Sequence, residues 1–398
     1  TAIFLLIIIN TSYASERPLR LWIMNNDAET GTTEVSEEAI ISSIKILKKD
    51  GITIENSISN LLIPSEHKYP LAFQRIKNKN FVIQLAKLIK ENPEIGEVSI
   101  EFVRWDDAYI KIFSTFASKN IETYPDILQV GLSWGNELAD AGKLVLLEGM
   151  FNRDNFYPAP LITSSIDSPF GFYAVPWFVE MRLLYYHKNA VENESEIADW
   201  NSFLNTCKQY KERTGKPFIG FSTSINWNLL HNFVPWLWSA GGDLVENPSG
   251  TLIRIPRVTI ANKESINAMI YLKRLSESGC AEFLNLPQEA LDKNFANEKY
   301  GAIVTGPWIT NLLGNNWNKN IGLQTIPEGA KGSLTFMGGS HLVISKASIE
   351  RGNLARAISL VKLLTSEKAQ NLIHQSTGLY PVQKHSMKTL LSSFTGNL

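Results

Sequence analysis

The chain has 398 residues, 44% hydrophobic and 10% aromatic, with 38 Lys+Arg against 39 Asp+Glu. That length holds two or three domains' worth of core. A formal charge of −1, with no Lys/Arg cluster, excludes the electrostatic footprint of a nucleic-acid binder. Six His and two Cys leave little material for a multi-metal site or a disulfide framework, and ten Trp is the one unusual count.

The run Thr1 to Ile9 is apolar but far too short to span a bilayer, which needs about 20 residues. It has the length of a signal-peptide core, and Ser12-Tyr13-Ala14 supplies small residues for cleavage. Residues 1–15 therefore read as a signal-peptide remnant without its basic leader, with a buried N-terminal strand as the alternative. The mature chain is expected to be soluble in a bacterial periplasm. Cys207 and Cys280 are free to pair there, yet their wide separation reads as two separate buried thiols.

Strand-like and helix-like segments then alternate. Leu19–Met24 reads as a buried strand, and Phe81–Glu91 as a helix stopped by Asn92-Pro93. Val98–Val103 alternates like a strand, after which Asp106 is placed to cap a helix reaching Lys119. Pro125–Val130 is the next strand, and Gly131-Leu-Ser-Trp-Gly135 turns it into a helix ending near Gly142. Helices are expected over Trp200–Thr214 with Gly215 as C-cap, Leu229–Ala240, Ile266–Ser278, and one long helix over Ala355–Leu372. Ala302–Thr305 and His341–Ser345 read as strands, and Pro307 suits a first helical position. The stretch 27–80 reads as an insertion or an added helical layer. This grammar predicts α/β architecture with mainly parallel sheets.

Gly131-Leu-Ser133-Trp-Gly135 fits a nucleophile elbow between strand and helix, so a secreted serine hydrolase using Ser133 is one reading. It would need His341 or His374 as base. No oxyanion segment precedes Ser133, and the following helix is polar, which disfavours it. There is no metal-protease, phosphate-loop or dinucleotide motif, so no catalytic residue, metal or cofactor is expected. What remains is a set of Trp residues in turn contexts, including Trp134, Trp177 and Trp308, near Ser133, Asn136, Glu180 and Arg182. Aromatic platforms beyond strand ends suit the apolar face of a sugar, with polar neighbours taking its hydroxyls. Each single Trp has core packing as its bland alternative.

Four ordered segments carry a resemblance. They are Tyr124–Val130 with Glu137–Leu144; Tyr173–Trp177 with Leu184–Lys188; Phe295–Gly301 with Thr305–Trp308; and Phe336–Ser340 with Thr365–Gln370 and Thr377–Pro381. In these the chain resembles the extracellular solute-binding proteins of family 1, the sugar receptors of bacterial ABC importers. The resemblance implies a two-lobed type II periplasmic-binding-protein fold, with two sheets flanked by helices and a hinge of crossing strands. By similarity one lobe holds 16–175 and 339–383, with 27–80 inserted, and the other 176–338 and 384–398. Carried over by position, the ligand residues would be Ser133, Trp134, Trp177, Glu180, Trp308, Gly338 and Gly339, with Trp236 and Asn26 as weaker matches. The resemblance implies a monomeric, non-enzymatic receptor that takes a carbohydrate, or else a non-sugar solute, in an interlobe cleft and delivers it to a membrane permease. The connection over 27–80 is long for the family, and the chain stops soon after Pro381.

Overall fold

The computed structural model describes residues 17–25, 52–54, 79–118, 120–164, 171–224, 226–246, 257–314 and 316–395. The expected signal remnant, Asn26 and most of 27–80 lie outside them. The chain divides into two compact units. One runs to Phe178 and takes up Gly339–Ser376 and Pro381 onward; the other is Val179–Gly338 with Thr377–Tyr380.

The first unit opens with β1 (Leu19–Asn25), β2 (Ile52–Ile54), β3 (Val98–Arg104) and β4 (Ile127–Gly131). Strand β5 (Ala174–Met181) carries the chain across the boundary between the units. The second unit contributes β6 (Leu183–His187), β7 (Ile219–Ser222), β8 (Val245–Glu246), β9 (Arg257–Val258), β10 (Ala281–Leu284), β11 (Ala302–Thr305) and β12 (Ile321–Gln324). Strands β13 (Met337–Ile344) and β14 (Tyr380–Pro381) also span a unit boundary.

The first unit's sheet has the order β14-β5-β13-β4-β1-β3-β2. Strand β1 is parallel to β3 and β4, while β13 runs antiparallel to β4. Strand β2 pairs in parallel with β3 at the sheet edge. Of the stretch 27–80, read from sequence as an insertion or an added helical layer, the described residues include this edge strand. The second unit's main sheet has the order β10-β7-β11-β6-β12, with β7 parallel to its neighbours β10 and β11, and β6 antiparallel to β11 and β12. Both sheets are thus mixed, each with its parallel pairs running out to one edge and antiparallel pairing on the other side.

Local chemistry explains several helix ends. Asp199 caps Trp200–Thr214 by accepting from the amides of Asn201 and Ser202, and Gly215 closes it at φ 72°. A left-handed residue costs glycine little, and here it returns its amide to the Lys211 carbonyl. Asn262 caps Lys263–Glu277 through the Ser265 amide. Three expectations need correction. Trp105–Ala117 begins one residue before Asp106, which therefore sits in the first turn. Pro307 precedes the helix Ile309–Leu313 rather than opening it, and Trp308 occupies the cap position. The expected helix over Ala355–Leu372 is two helices, Leu354–Leu364 and Glu367–Thr377. The break falls where the Thr365 and Ser366 hydroxyls donate back to the carbonyls of Val361 and Leu363, competing with helix continuation.

The helix Lys384–Thr395 is attached to the first unit, whereas similarity had placed 384–398 in the other lobe. The cause lies just upstream. The Val382 amide donates to Gln370 Oε1, the Tyr157 amide to the Val382 carbonyl, and Gln383 Nε2 to the Thr365 carbonyl. Short Thr377–Tyr380 instead goes with the second unit, where Gly378, at φ 76°, lies against the Pro307 carbonyl.

Each unit has its own core. In the first, Trp22, Ile112, Phe116, Leu128, Val130 and Val343 pack together. In the second, Phe203, Phe218, Phe221, Trp236, Tyr271 and Leu275 do so. Cys207 and Cys280 are both fully buried in the latter and form a disulfide, with Cα atoms 5.4 Å apart. The expectation of separate thiols is overturned, because helix Trp200–Thr214 lies against the segment entering β10. Among the described residues no helix is long and apolar enough to cross a membrane.

Candidate functional site

In the second unit the chain leaves β5 through Glu180 and Arg182. The Arg182 amide donates to the Phe336 carbonyl at 3.1 Å, and its carbonyl accepts the Thr335 hydroxyl. So fixed, Arg182 is 5% exposed, and its side chain lies over the Trp308 indole, Cζ 4.6 Å from the ring centroid. Its Nη2 donates to His231 Nδ1 at 3.4 Å, and the imidazole stacks on Phe336 at 4.0 Å. A guanidinium cannot accept, so the imidazole accepts here as the neutral ring. Burial, aided by the Arg182 charge, pulls the His231 pKa down to about 3.

Two polar groups at this spot are left over. Arg182 Nε and Nη1 are buried without a partner, and so is Glu180 Oε2. The nearest approach between the two side chains is 3.8 Å from Nε to Oε2, too long for a hydrogen bond. Burial pushes the Glu180 carboxyl up, against the opposing pull of Arg182. Buried charged groups that lack hydrogen bonds cost several kcal/mol each, so this arrangement needs an explanation. A hydroxyl group placed there would answer both, accepting from Arg182 and donating to Glu180 at once.

Gly338 keeps the carboxyl in place. A Cβ there would lie 2.2 Å from Glu180 Oε1 and 2.9 Å from the Phe336 ring. Glu180 is 8% exposed, leaving it little room to yield. Gly338→Ala is expected to displace the carboxyl and destabilise the second unit by about 1–3 kcal/mol through overpacking. A thermal melt of the variant beside wild type checks this, and an unchanged midpoint would count against the tight fit.

In the first unit β1, β3 and β4 are parallel, so their carboxyl ends share one edge, the edge at which open α/β sheets bind ligands. Helix Trp105–Ala117 starts directly at the end of β3, and Ser133-Trp134 follows β4. Trp134 packs edge-on against Trp105 at 5.6 Å and Tyr109 at 5.4 Å. The Tyr109 hydroxyl donates to Glu137 Oε2 at 2.8 Å. Trp134 is buried, whereas Trp105 and Tyr109 are half-buried, and Ser133 is exposed with no capping bond from its hydroxyl.

The residues singled out from sequence thus fall into three places. Glu180, Trp308 and Gly338 come together around Arg182. Ser133 and Trp134 stand at the first unit's sheet edge, and Gly339 lies on β13 at φ 147°. Trp177 and Trp236 lie inside the cores. The Trp177 N–H donates to the Leu364 carbonyl at 3.2 Å, and its own carbonyl accepts from Gln370. Trp236 is fully buried among Trp200, Phe203, Phe221 and Tyr271. Sequence reading missed His231 and Phe336, for which no local signal exists. It also missed Trp105 and Tyr109, which a strand followed by aromatics four residues apart would have indicated.

His341 does not serve the elbow motif as its base. His341 pairs in register with Val130, but its ring is fully buried and its Nε2 bonds the Pro160 carbonyl at 3.0 Å, leaving no bond to Ser133.

The model of the family described as bacterial extracellular solute-binding protein matches residues 78–371. The chain belongs to that family. It is 23% identical over 321 residues to the diacetylchitobiose binding protein DasA of Streptomyces coelicolor, covering 76% of this chain and 69% of the relative. The GacH receptor of Streptomyces glaucescens, solved unliganded and with acarbose, superposes with a TM-score of 0.68 at 19% identity over 93% of this chain and 81% of that one. UgpB of Mycobacterium tuberculosis, solved with glycerophosphocholine, gives 0.63 at 17% over 77% and 79%. The fold is that of the type II periplasmic binding proteins, and the family acts outside the cytoplasm.

Proposed function

We propose that this chain is the ligand receptor of an ABC importer, binding a sugar or oligosaccharide without chemical conversion and handing it to a membrane permease. The observation that carries this reading is the Trp308 indole beside a buried Arg182–Glu180 pair with open hydrogen-bonding capacity. An aromatic face suits the C–H face of a pyranose, and the charged pair suits its hydroxyls. In this reading Glu180, Trp308 and Gly338 form the second unit's contact, while Ser133, Trp134 and Gly339 belong to a contact surface of the first unit. Trp177 and Trp236 support the cores behind them. The receptor works as a monomer in the periplasm, with no nucleic-acid partner. A buried disulfide fits that compartment, since such bonds persist where the environment is oxidising.

Tryptophan fluorescence titrated with a panel of mono- and oligosaccharides, plus glycerophosphocholine, tests the proposal. Saturable binding of a sugar that is recovered unchanged is the expected result. Trp308→Ala should weaken that binding by about 30-fold or more, the size of a buried aromatic anchor. Saturable binding of glycerophosphocholine alone would replace the sugar reading with a non-sugar one, and consumption of the ligand would sink the receptor reading altogether.

A further inference from the structure

We propose that Asp292 is the positioning residue of this site, fixing the Trp308 indole in the orientation that meets the ligand. The inference rests on the reading that Trp308 faces the solute.

Asp292 lies on the helix Gln288–Ala296 and is 3% exposed. Its Oδ2 accepts the Trp308 indole N–H at 2.9 Å. Its Oδ1 accepts from Gln288 Nε2 and from the Thr305 hydroxyl, both at 2.9 Å. Gln288 in turn accepts from Asn232 Nδ2 at 3.1 Å. One buried carboxylate therefore ties together a helix, the carboxyl end of β11, and the Gly306-Pro307-Trp308 turn.

An indole on such a turn has two soft side-chain torsions, and its N–H can only donate. A bond to a charged acceptor is stronger than one to a neutral acceptor, so Oδ2 selects one ring orientation. Two further contacts hold the same pose. A Cβ at Gly306 would lie 2.1 Å from Trp308 Cζ3, so the ring folds back over that glycine. Arg182 occupies a position over the ring face. Trp308 nevertheless stays partly exposed, which leaves indole surface for a ligand. A purely structural Asp292 would need no donor from the indole on which the site is built.

The test uses the full chain with ¹⁵N-labelled indoles. The Trp308 indole signal is assigned by its loss in Trp308→Phe. In wild type its proton should lie downfield and exchange slowly despite the exposure of the ring. Asp292→Asn, which keeps the shape and removes the charge, should move the signal upfield. It should also weaken binding of the best sugar from the panel by about 10-fold. In the Trp308→Phe background the same change should cost no more than about twofold, because both residues then act through one contact. An unmoved signal, or an equal loss of affinity in the Trp308→Phe background, overturns the proposal. If Asp292→Asn does not fold, fast indole exchange in wild type overturns it just as directly. If no sugar binds wild type, the receptor reading fails, and the indole signal alone decides the anchoring.

Discussion

Cys207→Ala/Cys280→Ala should lower the stability of the second unit by about 4 kcal/mol, and reduction of wild type should do nearly the same. The bond closes a loop of sequence separation 73, and the loop-closure entropy removed from the unfolded chain for that length amounts to about 4 kcal/mol. Both sulfur positions are fully buried, so the alanines also leave a small void that adds to the loss. The first unit contains neither cysteine, and a second-unit probe is therefore needed. Limited proteolysis mapped to Val179–Gly338, or calorimetry resolving two transitions, would report it. For a unit of this size the midpoint should fall by on the order of 10 °C. Equal midpoints for oxidised and reduced protein would show that the cross-link contributes nothing.

That pairing also marks where sequence reading stops. Strands such as β4 and β11 were legible because short apolar runs bounded by turn residues carry their own signal. The end of Trp200–Thr214 was legible because Gly215 is a local cap. The pairing of Cys207 with Cys280 has no local cause; it follows from where a helix and a strand meet in the folded unit. The break at Thr365-Ser366 was hidden for a related reason. Its flanks are good helix formers, and only the hydroxyl-to-carbonyl bonds seen in the fold show the interruption.

The site divides in the same way. Trp308 and Glu180 were legible through the resemblance. Arg182 was visible only as a polar neighbour of theirs. What makes Arg182 informative is its burial with two unpartnered nitrogens, and burial is a property of the fold. His231 stands far from Arg182 in sequence, and its place on Phe336 could not be inferred from either segment alone. Trp177 and Trp308 look alike as aromatics in Pro-containing turns. In the structure one sends its N–H to a helix-end carbonyl and the other to a buried carboxylate.

Acid should destabilise the first unit through His341. The ring is fully buried on β13; Nε2 donates to the Pro160 carbonyl, and Nδ1 has no partner. Protonating Nδ1 would place an uncompensated charge in the core, and burial therefore pulls its pKa down to about 4. The unfolded chain has an ordinary histidine near 6.5, so between these values the unfolded state binds the extra proton. Stability is thus fully present above pH 6.5 and is lost as pH falls toward 4. Between pH 7 and 4.5 the loss should reach about 2–3 kcal/mol. His231 acts in the same sense in the second unit, but Glu180 and Asp292, whose carboxyls burial pushes up, gain stability on acidification and oppose it. The clean measurement is therefore denaturant unfolding of the first unit at pH 7 and 4.5 in wild type and His341→Gln. The glutamine amide keeps a donor for Pro160 and has nothing to titrate. Whatever the substitution does at neutral pH, the difference between the two pH values should shrink by those 2–3 kcal/mol. An unchanged difference would mean that His341 already carries its proton in the fold, and that its Nδ1 is not the bare, buried atom described above.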